Sequence, residues 1–185
     1  MSEAVTVDKA LISDKFADPE WGGGQLEKIG IFSRFSTEEL SSLWTIGRVR
    51  SLKAGNHAVI EGEQSRGLYI ILSGKVSVHK NDLVSGAMHR IAYLEEGVAF
   101  GELSLFDMAP RSATVVADTQ CCLFELDAQV FESHLDEKGD NFKIRFYQRC
   151  AEDLAERFRN INSDYIISQQ LLWKHALRRA ETEED

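Results

Sequence analysis

Residues Lys53 to Lys80 read KAGNHAVIEGEQSRGLYIILSGKVSVHK, and this stretch decides the fold. Its apolar residues fall in short runs, HAVI, LYIIL and KVSV, rich in the β-branched and aromatic types that suit a pleated surface. Gly55, Gly62, Gly67 and Gly74 separate the runs, and glycine is the residue that lets a chain turn sharply between strands. The pattern extends outward on both sides. VRSLKAG precedes it, and HRIAYLEEG, SATVVA and CCLFEL follow, with Gly86 and Gly97 between them. Many short glycine-punctuated strands over about residues 48–127 predict an antiparallel barrel, sandwich or jelly roll, with the strand topology left open.

Helical patterns flank these strands and make the class α+β. On the N-terminal side, Ser36-Thr37-Glu38-Glu39 has the spacing of a capping box, so a short helix is expected there with Leu40, Leu43 and Trp44 facing inward. Residues 1–25 are polar and end near Trp21-Gly22-Gly23-Gly24, which reads as a flexible tail. Beyond Asp127, AQVFESHL and NFKIRFYQRCAEDLAERFRNIN read as closing helices over about residues 128–162. Tyr147, Ala151, Leu154, Phe158, Ile161 and Tyr165 step by four and three, a stripe that serves either to pack on the chain's own barrel or to pair with a second copy. Asn160, Asn162, Ser163 and Asp164 favour helix caps, so a break is expected there. Residues 163–185 then form a helical extension that ends in the acidic tip ETEED.

Composition narrows the function. A chain of 185 residues with 43% hydrophobic content can bury one substantial core, and a formal charge of −9 leaves no broad basic face for nucleic-acid phosphates. No apolar run approaches the roughly 20 residues of a membrane helix, and MSEAVTVDKALISDKF lacks the order of a signal peptide, so the expected location is cytoplasmic. Cys121, Cys122 and Cys150 have neither disulfide nor zinc-site spacing and are expected in the core. His57, His79, His89, His134 and His175 show no metal-ligand spacing, and no Ser-His-Asp or Cys-His set can be placed, so no enzyme and no cofactor is expected.

The chemistry concentrates between Phe100 and Ala117, FGELSLFDMAPRSATVVA. Gly101 permits close approach of the backbone, and GELSLF is long enough for about one and a half helical turns, whose first amides have no intrahelical partner and suit an anion. Arg111, just after the turn at Pro110, offers a planar fork to a phosphate, Ser112 adds a hydroxyl and Ala113 leaves room. Glu102 would repel a bare phosphate, whereas a carboxylate beside a nucleotide accepts a ribose hydroxyl. One arginine without a metal cluster suits an anion of about one charge, such as a cyclic nucleotide monophosphate. On residues alone, an ion pair between Glu102 and Arg111 is an equal reading.

The same stretch resembles the phosphate-binding cassette of cyclic nucleotide-binding domains: Phe-Gly-Glu, a short helix, then Arg with two small residues. KAGNHAVIEGEQSRGLYIILSGKVSVHK resembles that family's β-roll and IFSRFSTEELSSL its helical lead-in, so the likeness covers about Leu26 to Ser163. The resemblance implies an antiparallel β-roll with N-terminal helices and long C-terminal helices. It implies that Gly101 and Glu102 address the ribose and that Arg111 and Ser112 hold the cyclic phosphate. Phe100, Leu103 and Ile91 would line the sugar and base, with Arg157 capping the ring. The implied ligand is cyclic AMP, with cyclic GMP as the alternative because Ser112 can meet a guanine amino group. The chain after the long helix is too short for a helix-turn-helix domain. The implied protein is a non-enzymatic receptor that signals through its C-terminal helices to a protein partner or a second copy. The alternative is a scaffold of the same fold without a ligand.

Overall fold

The computed structural model describes residues 14–82, 85–107 and 109–183, so the first 13 residues of the expected tail and the last two of the acidic tip lie outside the described residues, as does the side chain of His175. Eight strands, β1 (Arg48–Leu52), β2 (His57–Val59), β3 (Gly67–Ser73), β4 (Lys75–Asn81), β5 (Met88–Glu95), β6 (Ala99–Phe100), β7 (Thr114–Ala117) and β8 (Cys121–Asp127), form two four-stranded antiparallel sheets. Their orders are β1-β8-β3-β6 and β2-β7-β4-β5. The fold is therefore the expected α+β jelly-roll type, with helices before and after the strands.

Alternation along β3 explains why the core divides. Leu68 and Ile70 face the helices, while Tyr69 and Ile71 face the interior between the sheets. The helix-facing cluster gathers Leu26, Phe32, Leu40, Phe124, Phe131 and Phe146, all at most 1% exposed. The inter-sheet cluster is smaller and includes Leu52, Val76, Val115 and Leu123. Cys121 and Cys150 are buried and Cys122 is half-buried, all as free thiols.

Two local expectations need correction. The Trp21-Gly22-Gly23-Gly24 run is no flexible arm but part of helix α1 (Pro19–Leu26), which has Pro at its start and Asp18 accepting from the Glu20 amide at 2.9 Å. The glycines are there for contact: a Cβ on Gly22 would sit 2.0 Å from the Trp44 ring, and one on Gly23 2.6 Å from Ser41 Oγ. Trp44 belongs to α2 (Thr37–Ile46), whose capping box at Ser36 and Glu39 is formed as expected. Its indole stacks on Phe124 at 4.3 Å with 4° between the rings, which ties the lead-in helices to β8.

The second correction concerns the end of the chain. After α3 (Ala128–Lys138), helix α4 runs without a break from Asp140 to Glu183. Ser163 Oγ donates to the Arg159 carbonyl one turn back at 3.0 Å, so this cap-forming side chain is satisfied inside the helix. The predicted stripe also divides. Tyr147 packs on the domain, against Phe106 and Phe146, whereas Phe158, Ile161 and Tyr165 are more than 60% exposed.

His134 on α3 is buried against Phe142, and its Nε2 has no hydrogen-bond partner. Burial first, and then nearby Lys138, holds its pKa below the usual 6.5, with Glu137 opposing. The folded protein therefore refuses a proton that the unfolded chain accepts, and stability declines as pH falls below about 6.5. Thermal melts between pH 7 and pH 5 are expected to show a shallower decline for His134→Leu than for the native chain.

Candidate functional site

One end of the roll opens into a cavity of about 510 Å³, within the ~300–1,000 Å³ typical of small-molecule sites. Its walls are unlike. Val59, Val78, Leu94, Val98 and Val115 line an apolar side, and Glu102, Arg111 and Arg157 place charge on the other. A ligand suited to this cavity carries a flat or apolar part and a charged part.

Arg111 is 5% exposed, and that burial requires acceptors. Its Nε donates to Ser65 Oγ at 3.1 Å. Its Nη1 donates to the carbonyls of Gly67 at 3.0 Å and Gly101 at 3.2 Å, and to Ser104 Oγ at 3.1 Å. The guanidinium lies over the Tyr69 ring, 5.3 Å from its centre. The main chain is pinned as well, since Arg111 N–H donates to the Glu63 carbonyl and Gly62 N–H to the Arg111 carbonyl, both at 2.9 Å. Nη2 alone is buried without a partner. A cationic donor left in that state is destabilising, and an oxyanion is the group that would satisfy it.

Glu102 opens a 3-10 helical turn, Glu102–Leu105, and is 6% exposed. It does not pair with Arg111. Its Oε1 accepts from Nη1 of Arg157 at 2.6 Å, and Arg157 Nε lies 2.9 Å from Asp153 Oδ2, so a three-membered ion cluster joins the turn to α4. The equal reading from residues alone, a Glu102 to Arg111 pair, is thereby removed: Nε and Nη1 of Arg111 are taken by carbonyls and hydroxyls, and the buried carboxylate takes the half-exposed arginine of α4 instead. The same contact alters the expectation for Arg157, which reaches the cavity as expected but with its guanidinium bound to two carboxylates. Cys150, below this cluster, has its thiol pushed up to about 12 by burial and by the charges of Glu102 and Asp153, so it stays a neutral core residue.

Gly101 joins the two charged halves. It adopts φ 84, and an added Cβ would lie 2.6 Å from Arg111 Nη1 and 2.8 Å from the Gly67 carbonyl. Phe100, Leu103, Ser112 and Ala113 also line the cavity, as expected. Ser112 is exposed, and its carbonyl accepts from Lys80 Nζ at 2.6 Å.

Ile91 does not line it. The β4 to β5 register passes from Val78↔Ala92 to His79↔Arg90, which leaves Ile91 as the extra residue of a β-bulge, 61% exposed. Leu94, three residues on, takes the place expected of it. Residues not foreseen are Ser65, Tyr69 and Ser104, which hold Arg111. Ser104 lies inside the FGELSLF stretch, but only the return of Arg111 across the turn gives its hydroxyl a task.

These features define a β-roll with a cavity suited in shape and charge to a small anion attached to an apolar or ring-bearing group. Comparison with known proteins identifies the family. Residues 49–138 match the model of the cyclic nucleotide-binding domain, and this part of the chain belongs to that family. Glutaminase 1 of Bradyrhizobium diazoefficiens is 31% identical over 133 residues, 72% of this chain and 21% of that protein. The cAMP-dependent protein kinase regulatory subunit of Pyricularia oryzae is 33% identical over 105 residues, 52% of this chain and 26% of that protein. The crystal structure of a cyclic nucleotide-binding domain from Methylobacillus flagellatus aligns with a TM-score of 0.68 and 27% identity, covering 81% of this chain and 83% of that one. The chain thus spans about a quarter or less of these two curated relatives.

Gly101→Ala is expected to destabilise the protein by about 1–3 kcal/mol, because the new methyl group meets Arg111 and a carbonyl at a left-handed position. Urea unfolding of the variant beside Gly97→Ala, where a Cβ meets nothing within 4 Å, separates the clash from backbone strain alone.

Proposed function

We propose that the chain is a cyclic nucleotide receptor, with cyclic AMP its main ligand, acting by binding and not by catalysis. The observation that carries this reading is the buried, unpartnered Nη2 of Arg111 in a cavity whose remaining polar side chains include a buried carboxylate, Glu102. The cyclic phosphate would take Nη2 of Arg111 and the Ser112 hydroxyl, beside Ala113. The ribose hydroxyl would donate to Glu102, with the Gly101 backbone close by. Phe100, Leu103, Leu94 and Val98 would surround sugar and base. The kinase regulatory subunit is named for its dependence on cAMP, which supports that choice over cyclic GMP.

The signal would leave through Arg157. Because Glu102 holds this α4 side chain, a ribose arriving at the carboxylate changes the terms on which α4 docks. The exposed Phe158, Ile161 and Tyr165 then offer α4 to a second copy or to a protein partner. No helix among the described residues is long and apolar enough to cross a membrane.

Isothermal titration with cyclic AMP and cyclic GMP tests the site. The native chain is expected to bind cyclic AMP more tightly, and Arg111→Ala to lose about 2–5 kcal/mol, as when one partner of a buried charge pair is truncated. Equal affinity of the two proteins would overturn the assignment, and the absence of any thermal shift with either nucleotide would favour the ligand-free scaffold. Hydrogen exchange tests the output: ligand should alter protection around Asp153 and Arg157 in the native chain, and much less in Arg157→Leu.

A further inference from the structure

The interior of the roll contains a polar chain that the cavity itself does not explain. Glu125 on β8 is 8% exposed and shares its face of the strand with the buried Cys121 and Leu123. Arg48 on β1 grips it with two hydrogen bonds of 3.0 Å, from Nε and Nη2. Tyr69 on β3 donates its hydroxyl to Glu125 Oε1, also at 3.0 Å. Strand register makes these meetings obligatory, since Glu125 pairs with both Arg48 and Tyr69, and Tyr69 pairs in turn with Phe100 of β6. The Tyr69 ring stacks on Phe100 at 5.2 Å and 12°, and carries the Arg111 guanidinium 5.3 Å from its centre.

Stability alone is a weak reason for such a chain, because the Arg48 side chain is 74% exposed and an ion pair open to water on one side contributes little. Orientation is the better reason. A phenol hydroxyl that donates to a carboxylate cannot rotate away, and its ring face gains electron density, which strengthens attraction for a cation above it. Burial, and then the charge of Glu125, pushes the Tyr69 hydroxyl up to about 12, so it remains a donor throughout the physiological range.

We propose that Tyr69 is a positioning residue for Arg111: anchored by Glu125 and Arg48, its ring holds the guanidinium in the orientation that receives the phosphate. This inference rests on the receptor reading above and extends the binding site across β3 to β8 and β1, on the other sheet edge. Tyr69 touches no ligand in this scheme; it acts through Arg111.

The test measures two ligands, cyclic AMP by titration calorimetry and adenosine, which lacks the phosphate, by ligand-observed NMR at millimolar concentration. Tyr69→Leu in the full chain is expected to weaken cyclic AMP at least tenfold and leave adenosine within twofold of the native value. Tyr69→Phe, which keeps the ring and the packing but frees it from Glu125, is expected to weaken cyclic AMP about threefold with the same selectivity. Glu125→Gln should match Tyr69→Phe. Equal losses for both ligands would make Tyr69 a purely structural residue, and native cyclic AMP affinity in Tyr69→Phe and Tyr69→Leu would remove its role altogether. Either result overturns the inference while the receptor reading stands. A native chain that binds no cyclic nucleotide overturns both.

Discussion

A guanidinium on a residue that is only 5% exposed needs an acceptor for nearly every donor, and in this protein that requirement organises one end of the roll. The acceptors for Arg111 come from the loop before β3, from the first residue of β3, from the end of β6 and from the 3-10 turn after it. These acceptors fall in two stretches, 65–67 and 101–104, that are far apart in sequence. They converge only because the antiparallel pairing of β3 with β6 brings Gly67 and Gly101 side by side, and because Gly101 has no Cβ to hold them apart. The arginine is thus the clasp that closes the cavity's wall and, in the proposed receptor, also the group that meets the anion.

A second contact sets how the rest of the molecule relates to that clasp. Glu102 stands one residue beyond Gly101, so a shift of the turn carries the carboxylate with it. Its partner is on α4, whose 44 residues continue far past the β-roll. The last side chains of α4 that the domain buries include Phe146 and Cys150, and the first large exposed apolar one after Arg157 is Phe158. The ion cluster of Glu102, Arg157 and Asp153 therefore sits where the helix leaves the domain. In the proposed receptor, the binding site and the projecting helix share a carboxylate, which is a physical coupling that needs no longer path.

Much of this was legible from residue order. The glycine-punctuated runs identified an antiparallel roll, and the capping box located α2, because both signals are local. Phe100, Gly101, Glu102, Leu103, Arg111, Ser112 and Ala113 fall in one short stretch, and all reach the cavity. Failures came where local rules meet distant atoms. The Gly22 and Gly23 pair looked flexible because glycine usually is, yet the two are small to admit Trp44 and Ser41 from another helix. Ile91 looked like a wall residue through the family resemblance alone; in β5 it is Leu94 that lines the cavity, and Ile91, an odd number of residues away and at a bulge, is exposed. The asparagines and serine near residue 162 looked like a helix end, and the serine instead bonds within its own helix.

Sequence by itself determined which groups would be present: one buried-type arginine, one carboxylate beside a left-handed glycine, and strands short enough to wrap round them. It could do so because turn chemistry, helix caps and hydrophobic period act over a few residues. Only the tertiary structure decided who meets whom. Glu102 turned from Arg111 to Arg157, and Arg111 settled on Tyr69, whose hydroxyl donates to Glu125, itself held by Arg48 on a third strand. Those partners lie between 42 and 77 residues apart in pairs such as Arg111 with Tyr69 and Arg48 with Glu125, and strand register, a property of the assembled sheets, is what brings them within reach.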